Sequence, residues 1–377
     1  MPSEETSEYM QRALELARAA LGTTSPNPTV GAVVVLDGEI VGEGAYSGPG
    51  TPHAEIVALE RAGEAARGAT VYVTLEPCSH SRARDGQPRT PCAQALIAAG
   101  VARVVYSIDD PDERTAGSGA ASLAAAGIAV QAGEGEAEAR RINEAFIKHR
   151  TRGLPFVVAK FAASLDGRIA AASGDSRWVS GPRTLEWAHE LRTRVDAILV
   201  GSSTVVVDDP LLTARPGGRD AVRQPLRVVV DSRGRTPPMA RVLGGPARTL
   251  IATLESAPER WRAALQAAGA EVLSFPEDGG RVDLQALLRE LAERDVLSLL
   301  VEGGGVILGG FFDRGLVDKL HAVIAPLIIG AEDAPAAVAG RGAYRMADAL
   351  RLRDITVERL GEDLLVTGYP QYPETKE

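Results

Sequence analysis

The chain has 377 residues, of which 45% are hydrophobic and 24% charged, and its formal net charge is −9 at pH 7. This length exceeds that of one ordinary domain, and the composition supports sizeable cores while excluding a transmembrane run of about 20 apolar residues. The acidic balance argues against a nucleic-acid groove, which needs clustered Lys and Arg, and favours a small-molecule substrate.

The N-terminal half alternates between helical and strand patterns. The helix predicted over 9–21 belongs to an acidic, amphipathic segment without the basic and apolar regions of a signal peptide, which predicts a cytoplasmic location. The elements predicted after it are a strand at 30–36 with a hairpin-like return, a helix at 54–66, a strand at 71–75, a helix at 92–99, a strand at 103–108 and a helix ending at Gly127. This alternation is typical of a largely parallel α/β sheet.

A polar, helical connector over 132–152 separates the two halves, so we predict domains at 1–148 and 149–377. The second half shows a further α/β series. Its predicted strands lie at 156–162, 197–201, 226–231, 249–253, 297–303 and 319–329, and its predicted helices at 183–193, 257–268, 283–293 and 306–314.

Both cysteines of the chain, Cys78 and Cys92, lie in the first half with thirteen residues between them. A cytosolic chain keeps such thiols reduced, which argues against a disulfide and favours metal or catalytic use. Together with His53 they offer three zinc ligands and leave a fourth tetrahedral position for water, as in catalytic zinc sites. His53 and Cys92 lie at predicted helix N-termini, where the dipole favours a thiolate. Glu55 is placed to move protons without binding the metal.

Two plainer interpretations stay open at this point. The cysteines and the histidine can be residues that pack in the interior without any metal. A closed structural zinc site is the other alternative, with His80 as its fourth ligand.

Three motifs resemble the signature of the zinc deaminase superfamily: "HAE" at 53–55, "TLEPC" at 74–78 and "TPC" at 90–92. The long gap between the cysteines, with "SPNPTVGAVVV" (25–35), "HAEIVAL" (53–59) and "DDPDERTAGSG" (109–119), resembles the deaminase half of the bifunctional riboflavin-biosynthesis deaminase/reductase family. The resemblance implies a cytidine-deaminase-like, three-layer α/β domain.

By the same resemblance, zinc binds His53, Cys78 and Cys92 and activates water, while Glu55 passes a proton to the departing amino group. Glu76 is expected to hold a zinc ligand or the substrate amine. The substrate contacts implied in this half are Asn27, Ser79 and His80.

Several positions depart from the family pattern. The segment between the cysteines is longer than usual and lacks one proline of a Pro-Pro pair, Tyr46 stands where histidine is common, and Val57 stands where Asn or His is common. These positions surround the substrate rather than the metal. The inserted segment, 81–89, is expected to be either a mobile lid or a solvent-exposed loop.

In the second half, "VEGGGVILGG" (301–310) reads as a strand, a glycine-rich turn and a helix, a combination that can hold phosphates. "VDDPLLTAR" (207–215) places Asp208 and Arg215 near a strand end, where arginine can grip a phosphate. With "VAKFAASLDGRIAAASGDSRWVSG" (158–181) and "LRVVVDSRGRTP" (226–237), these segments resemble the reductase half of the same family.

That half implies a dihydrofolate-reductase-like α/β domain that uses NADPH. Lys160 and Asp208 are the implied catalytic residues. The implied NADPH contacts are Ala162, Trp178, Thr204, Asp208, Ser232, Gly304, Gly305, Gly309 and Gly310. The implied substrate contacts are Ser176, Arg192, Leu212, Arg215 and Glu302.

The sequence therefore predicts a bifunctional enzyme that acts on a phosphoribosylaminopyrimidine, first as a deaminase and then as a reductase, without a nucleic-acid or membrane partner. The resemblance also implies a dimer or tetramer formed through the reductase domain. Three alternatives stay open: a reductase whose deaminase half is retuned or inactive, a nucleic-acid-editing deaminase, and a ligand-binding protein with structural zinc.

Overall fold

The computed structural model describes residues 6–81, 89–112 and 115–373. The chain forms two compact units, Met1–Gly153 and Leu154–Glu377. They divide just after the helix Glu144–Arg152, whose last turn is capped by Gly153 in the left-handed conformation. The boundary expected near residue 149 therefore falls inside this helix. None of the helices in the described ranges combines the length and apolarity that a membrane crossing requires.

The N-terminal unit contains α1 (Glu8–Ala19), β1 (Gly31–Leu36), β2 (Glu39–Ala45), α2 (Ala54–Ala62), β3 (Thr70–Val73), α3 (Cys92–Ala99), β4 (Arg103–Tyr106), α4 (Ser118–Ala125), β5 (Ala129–Ala132), α5 (Glu136–Ile142) and α6 (Glu144–Arg152). Its five-stranded sheet has the order β2-β1-β3-β4-β5. β1 is antiparallel to both neighbours, whereas β3, β4 and β5 pair in parallel, so four of the five strands run in one direction and β1 runs against them. The sheet is therefore mixed, because the hairpin turn at Asp37 and Gly38 returns the chain directly beside β1.

Helices cover both faces of this sheet. A Cβ at Gly31 would lie 2.0 Å from the carbonyl oxygen of Ala13 in α1, and one at Gly44 would lie 2.1 Å from that of Ala54 in α2. Gly31 pairs with Ala45, so Gly44 points to the opposite face because side-chain direction alternates along a strand. The unit therefore has the three layers that were predicted, and two of its helices approach the sheet closely enough to require glycine.

The C-terminal unit contains β6 (Phe156–Ser164), α7 (Pro182–Thr193), β7 (Ala197–Gly201), α8 (Ser202–Asp208), β8 (Leu226–Val230), β9 (Thr249–Leu254), α9 (Glu259–Ala267), β10 (Glu271–Phe275), β11 (Glu277–Asp278), β12 (Arg281–Val282), α10 (Leu284–Glu293), β13 (Ser298–Glu302), α11 (Gly305–Asp313), β14 (Lys319–Ala325), β15 (Arg351–Leu360) and β16 (Asp363–Gln371). Nine strands form its main sheet in the order β10-β9-β8-β7-β13-β6-β14-β16-β15. The first seven run parallel, and β16 is antiparallel to both β14 and β15.

Some elements differ from the sequence prediction. α2 ends at Ala62 rather than 66, because Gly63 adopts a positive φ of 55° and a short 3-10 turn follows. β14 ends at Ala325 rather than 329, since Pro326 cannot donate to the ladder. The sequence patterns do not predict β5, α8, β10, β15 or β16. β15 is an edge strand with exposed side chains along almost its whole length, so it lacks the alternation that identifies a half-buried strand.

Arg227 is a buried arginine in β8 that ties two loops to the sheet, and its side chain is only 1% exposed. Its Nη1 donates to the carbonyl oxygens of Gly244 at 2.7 Å and Leu211 at 3.2 Å, and its Nη2 donates to that of Ala247. Burial lowers the pKa of the guanidinium to about 10, so the group remains charged at neutral pH. One side chain thus fixes both the segment after α8 and the turn before β9.

Replacing Arg227 by methionine is expected to destabilise the C-terminal unit by roughly 3 kcal/mol, because the carbonyl groups of Leu211, Gly244 and Ala247 lose the donor that they share. Urea unfolding of the two proteins measures this loss. Arg248→Met is the matched control, since the Arg248 side chain is 82% exposed and its ion pair with Glu271 spans 3.6 Å. A control variant as unstable as Arg227→Met would contradict the assignment.

Candidate functional sites

His53, Cys78 and Cys92 form a compact cluster, with one ligand atom from each lying within 4.8 Å of the others. His53 Nδ1 lies 3.2 Å from Cys92 Sγ and 3.7 Å from Cys78 Sγ. Tetrahedral zinc at its usual bond lengths separates its ligand atoms by roughly 3.3–3.8 Å, so the cluster fits this ion. Both thiols are free and buried, which rules out the disulfide.

The local structure brings the side chains of His53, Cys78 and Cys92 together. His53 is the residue that caps α2, and Cys92 is the first residue of α3. Cys78 lies in the extended segment after β3, where its Sγ accepts from the backbone N–H of Cys92 at 3.5 Å and its carbonyl accepts from that of Ala93 at 3.1 Å. The N-terminus of α3 therefore directs two N–H groups at Cys78, and its positive dipole end favours a thiolate there.

The protonation of the cluster suits cation binding. A hydrogen bond from the Cys92 thiol, followed by those from His53, lowers the pKa of Cys78 below its usual value. The same bond to Cys78 raises the pKa of Cys92, so the buried pair shares one proton. A bound cation would replace that proton, because metal ligands must be deprotonated.

Glu55 lies beside the cluster in the first turn of α2 and is 4% exposed. Burial raises the pKa of its carboxyl above the usual range, and the neighbouring His53 opposes this shift. Cys92 lies within hydrogen-bonding reach of the carboxylate. A buried carboxyl with a raised pKa beside three metal ligands has the properties of a proton carrier.

Glu76 was expected to hold a zinc ligand or the substrate amine, and the structure shows its carboxylate bound to main-chain N–H groups instead of to a ligand side chain. Its carboxylate accepts from the backbone N–H groups of Asp110 at 3.3 Å, Gly117 at 2.9 Å and Ala120 at 3.1 Å. These bonds join the segment that carries Cys78 to the start of α4. Two of these three donors belong to the N-terminus of α4, so Glu76 orders the surroundings of Cys78 by binding helix N–H groups and the N–H of Asp110.

His80 is not part of the cluster, although it was the candidate for a fourth ligand. Its Nδ1 lies 3.0 Å from Thr115 Oγ1, and its Nε2 pairs with Arg89 Nη2. Arg89 Nη1 also lies 2.6 Å from His53 Nε2, so this arginine joins the two histidines. Ser79 Oγ lies 2.6 Å from Ser118 Oγ. Ser79, His80 and Arg89 thus lie around the cluster, whereas most of the inserted segment, 82–88, is outside the described residues.

Asn27 reaches the cluster through Tyr46. Asn27 Nδ2 donates to the Tyr46 hydroxyl at 2.7 Å, and the buried Tyr46 ring packs edge-on against His53 with the ring centroids 5.5 Å apart. Sequence comparison with the family pattern singled out Tyr46 only as a departure. Its contact with a ligand side chain makes it part of the site.

The C-terminal unit contains a cleft of about 1130 Å³ at the carboxyl ends of β6, β7, β8 and β13. Twelve of the predicted residues line it: Lys160, Ala162, Ser176, Arg192, Thr204, Asp208, Leu212, Ser232, Glu302, Gly304, Gly305 and Gly310. Trp178 and Arg215 line an adjoining cavity of about 380 Å³, which shares Ser176, Arg192, Asp208 and Leu212 with the cleft. The cleft is larger than the usual site for one small molecule, so it has room for a dinucleotide as well as a substrate.

A buried ion pair organises the inner end of the cleft. Arg192 grips Glu302 in bidentate fashion, with Nε 3.1 Å from Oε1 and Nη2 2.5 Å from Oε2. Lys160 is the register partner of Glu302 on β6, and burial lowers the pKa of its ammonium while Glu302 opposes the shift. Although burial alone would raise the pKa of Glu302, Arg192 and Lys160 lower it to about 2. Glu302 is therefore ionised throughout the physiological range.

The glycine-rich turn lies between β13 and α11. Gly304 caps α11, and its backbone N–H donates to Thr204 Oγ1 at 3.2 Å, which joins this turn to α8. Gly305 and Gly310 face the cleft. Gly309 does not line it: a Cβ there would lie 1.0 Å from the carbonyl oxygen of Ala339, so Gly309 admits the segment behind α11 instead. The expected contact of Gly309 with NADPH stays a prediction.

Asp208 and Ser176 meet where the cleft joins the smaller cavity, and Ser176 Oγ donates to Asp208 Oδ1 at 3.1 Å. Trp178 stands at the cavity mouth with 70% of its surface exposed. Leu212 is buried with a positive φ of 52°, which is rare for a side chain of this size, so the chain turns sharply before Arg215.

Sequence reasoning missed several polar residues of the cleft: Ser202, Ser203, Arg233, Arg235, Arg281 and Arg341. Arg235 Nη2 donates to Ser202 Oγ at 3.0 Å and Ser203 Oγ at 2.9 Å. The segment "DSRGR" (231–235) directly follows β8, and its position at the carboxyl end of a parallel strand could have identified the first two of these arginines.

Comparison with known proteins matches each unit to a family. Residues 3–108 match the cytidine and deoxycytidylate deaminase zinc-binding region, and residues 155–366 match the RibD C-terminal domain. The molecule is thus a two-part enzyme that joins a zinc-dependent deaminase to a reductase. The predicted fold class, an α/β deaminase unit followed by an α/β reductase unit, is confirmed.

Relatives match almost the whole chain. The riboflavin biosynthesis protein RibD of Escherichia coli (strain K12) is 42% identical over 94% of this chain and 97% of its own length. A RibD structure from Acinetobacter baumannii is 37% identical with a TM-score of 0.85 and covers 96% of this chain and 98% of its own. A diaminohydroxyphosphoribosylaminopyrimidine deaminase/5-amino-6-(5-phosphoribosylamino)uracil reductase from Thermotoga maritima is 34% identical with a TM-score of 0.82, at 96% and 98% coverage.

The chain belongs to the RibD family of riboflavin biosynthesis proteins. It is a bifunctional enzyme of this pathway with a deaminase domain and a reductase domain, as the sequence predicted. The alternatives of a retuned or inactive deaminase half, a nucleic-acid editor and a protein with structural zinc are not favoured.

Zinc content tests the metal cluster directly. Purified protein is expected to contain zinc, and Cys92→Ala is expected to lose most of it, because two ligands hold the ion far more weakly than three. Metal analysis by mass spectrometry gives the readout. His321→Asn, a change in the other unit, is the control and should keep its zinc; equal zinc in the Cys92→Ala protein would contradict the ligand assignment.

His321 makes the stability of the C-terminal unit depend on pH. It pairs in register with Lys160 on β6 and Thr367 on β16, its Nδ1 lies 2.9 Å from Thr367 Oγ1, and Trp187 of α7 packs edge-on against the ring. Burial, followed by the charges of Lys319 and Lys160, lowers the pKa of His321 to about 3. The folded protein therefore contains His321 in its neutral form.

In the unfolded chain a histidine has a pKa of about 6.5, so the unfolded state binds more protons between that value and about 3. Stability contributed by neutral His321 is thus present above pH 6.5 and lost as the pH falls. Between pH 7 and pH 5 the free energy of unfolding of the wild type should fall by roughly 2 kcal/mol more than that of His321→Leu. Urea unfolding at both pH values measures this, and equal losses would contradict the burial of a neutral ring.

Proposed function

We propose that the N-terminal site hydrolytically deaminates 2,5-diamino-6-(5-phosphoribosylamino)pyrimidin-4-one. The observation that carries the proposal is the buried Glu55 beside a three-ligand cluster that fits zinc. The name of the Thermotoga maritima relative supports this substrate, since that protein is called a diaminohydroxyphosphoribosylaminopyrimidine deaminase.

In this proposal His53, Cys78 and Cys92 hold the zinc ion, which supplies a Lewis acid for the activation of water. Glu55 takes a proton from the attacking water and delivers it to the amino group, which leaves as ammonia while the ring carbon becomes a carbonyl. The raised pKa of Glu55 suits both halves of this transfer, because the group must accept a proton and then release it. Asn27, Ser79 and His80 contact the substrate.

We propose that the C-terminal cleft reduces the ribosyl group of the deaminated product to a ribityl chain, giving 5-amino-6-(5-phosphoribitylamino)uracil. NADPH supplies the hydride when bound. Lys160 and Glu302 lie at the inner end of the cleft and orient the ribosyl group, with Arg192 fixing Glu302. Arg215 binds the phosphate, Ser176 and Leu212 also contact the substrate, and Asp208 is the second catalytic residue.

The cofactor occupies the wider part of the cleft in this proposal. The lining residues that contact it are Ala162, Thr204, Asp208, Ser232, Gly304, Gly305 and Gly310, with Trp178 at the neighbouring mouth. The N-terminus of α11 favours its phosphates, because unpaired N–H groups and the helix dipole both attract anions.

We further propose a cytoplasmic location and a homo-oligomer, a dimer or tetramer formed through the C-terminal unit. The edge strand β15 supports the second point, since it exposes Ile355 by 56% and Val357 by 61%. An edge strand of this kind can pair with another chain.

A two-step assay on the purified protein tests the whole proposal. Glu55→Gln should lower ammonia release from the diaminopyrimidine at least about 100-fold, the usual effect of losing a general acid–base group. NADPH oxidation on the deaminated substrate should be unchanged in this variant. Asp208→Ala should show the reverse pattern, with the reductase step lowered at least about tenfold and ammonia release preserved.

Each variant serves as the folding control for the other, because each keeps one activity. Zinc bound without ammonia release in the wild type would contradict the deaminase assignment. Ammonia release without NADPH oxidation would contradict the reductase assignment alone.

A further inference from the structure

His189 of α7 holds the main chain of Arg215 through one hydrogen bond. Its Nδ1 accepts from the backbone N–H of Arg215 at 3.2 Å. An N–H donor needs an unprotonated nitrogen as acceptor, so the bond exists only while the imidazole is neutral and carries its proton on Nε2. The proposed chemistry of the cleft gives His189 no role.

The surroundings keep this imidazole neutral. Burial, followed by the charges of Arg192 on the same helix and of Arg215 itself, lowers the pKa of His189 to about 4. Glu302 of β13 and a hydrogen bond with the backbone of Thr213 oppose the shift without cancelling it. Near neutral pH the ring therefore remains an acceptor at Nδ1.

The segment that carries Arg215 has no regular secondary structure and is held by side chains at three consecutive residues. Arg192 Nη1 donates to the carbonyl of Thr213 at 3.2 Å. The Gln224 side chain makes two hydrogen bonds with the main chain of Ala214: it accepts from the N–H at 2.8 Å and donates to the carbonyl at 2.9 Å. The third residue, Arg215, is bound by His189, which lies one helical turn before Arg192. One face of α7 therefore holds the segment at both Thr213 and Arg215.

The direction of the Arg215 side chain depends on this arrangement. Arg215 Nη1 donates to Thr213 Oγ1, and the side chain lines the smaller cavity together with Ser176, Arg192 and Leu212. Leu212 turns the chain with a positive φ, and the residues from there to Arg215 belong to no helix or strand, since the 3-10 turn Pro216–Gly218 begins only after them. The hydrogen bond that His189 accepts from the Arg215 N–H, together with the bond from the Gly218 N–H to the Arg215 carbonyl at 3.1 Å, constrains the main chain where the guanidinium leaves it.

We propose that His189 is a positioning residue for substrate binding, which fixes the main chain of Arg215 so that its guanidinium meets the substrate phosphate. This inference rests on the proposed reductase function. It predicts that an acceptor at the position of Nδ1 is required, whereas the imidazole itself is not.

Three replacements of His189 test this requirement. Asparagine places its Oδ1 close to the position of Nδ1, whereas the amide of glutamine reaches one bond farther and leucine has no acceptor. In NADPH-oxidation assays with 5-amino-6-(5-phosphoribosylamino)uracil, His189→Leu and His189→Gln should raise the KM for this substrate about tenfold, the equivalent of one lost hydrogen bond. His189→Asn should restore the wild-type KM, and kcat and the KM for NADPH should stay within about twofold in all three.

A double-mutant cycle with Arg215→Ala separates positioning from a general structural role. If His189 acts through Arg215, His189→Leu should raise the KM no further in the Arg215→Ala protein. An equal rise in both backgrounds, or an asparagine variant as poor as the leucine variant, would overturn the inference. If His189→Leu does not fold, the comparison of His189→Asn with His189→Gln still shows whether an acceptor at the position of Nδ1 is required. A wild type that does not oxidise NADPH with this substrate would instead contradict the proposed reductase function.

Discussion

The requirement that parallel strands end at one edge of the sheet determines where the reductase cleft lies. β6, β7, β8 and β13 are neighbours or near neighbours and run in the same direction, so the groups at or just beyond their carboxyl ends converge. Lys160, Glu302 and Ser232 belong to three different strands or strand ends, yet all line one cleft. The N-terminal unit uses the same rule on a smaller scale, where the segment after β3 brings Cys78 to the N-termini of α2 and α3.

Once the strand ends have brought charged groups together, burial decides how they are held. Glu302 has two cationic neighbours, and Arg192 meets both Glu302 and the carbonyl of Thr213. A buried charge without a partner would be costly, so these side chains lock one another in place. Arg227 follows the same logic with carbonyl groups as its partners. Arg192 and Arg227 thus reach from a helix and a strand to carbonyl groups of irregular segments and hold those segments in place.

The sequence predicted the parts of the sites that depend on local patterns. His53 and Cys92 could be assigned to helix starts, and "VEGGGVILGG" to a strand, turn and helix, because each signal lies within a few residues. Relations between distant segments could not be read in this way. Glu76 capping α4 and His189 accepting from Arg215 depend on tertiary packing alone. Gly305 and Gly309 are four residues apart on α11 and share the face that packs against Ala336 and Ala339, a partner that the local sequence does not reveal.

An acidic protein can still bind a phosphorylated substrate, because the charge that matters is local. The net charge of the chain is −9, but the inner cleft and its adjoining cavity combine Lys160, Arg192 and Arg215 with Glu302. Four arginines and two aspartates line the smaller cavity, so the cavity is positive on balance. Glu302 pairs with Arg192, whereas the Arg215 guanidinium donates to Thr213 Oγ1, and burial followed by the charge of Arg192 lowers the pKa of Arg215. A phosphate that reaches Arg215 would therefore remove an existing repulsion between two guanidinium groups as well as form new hydrogen bonds.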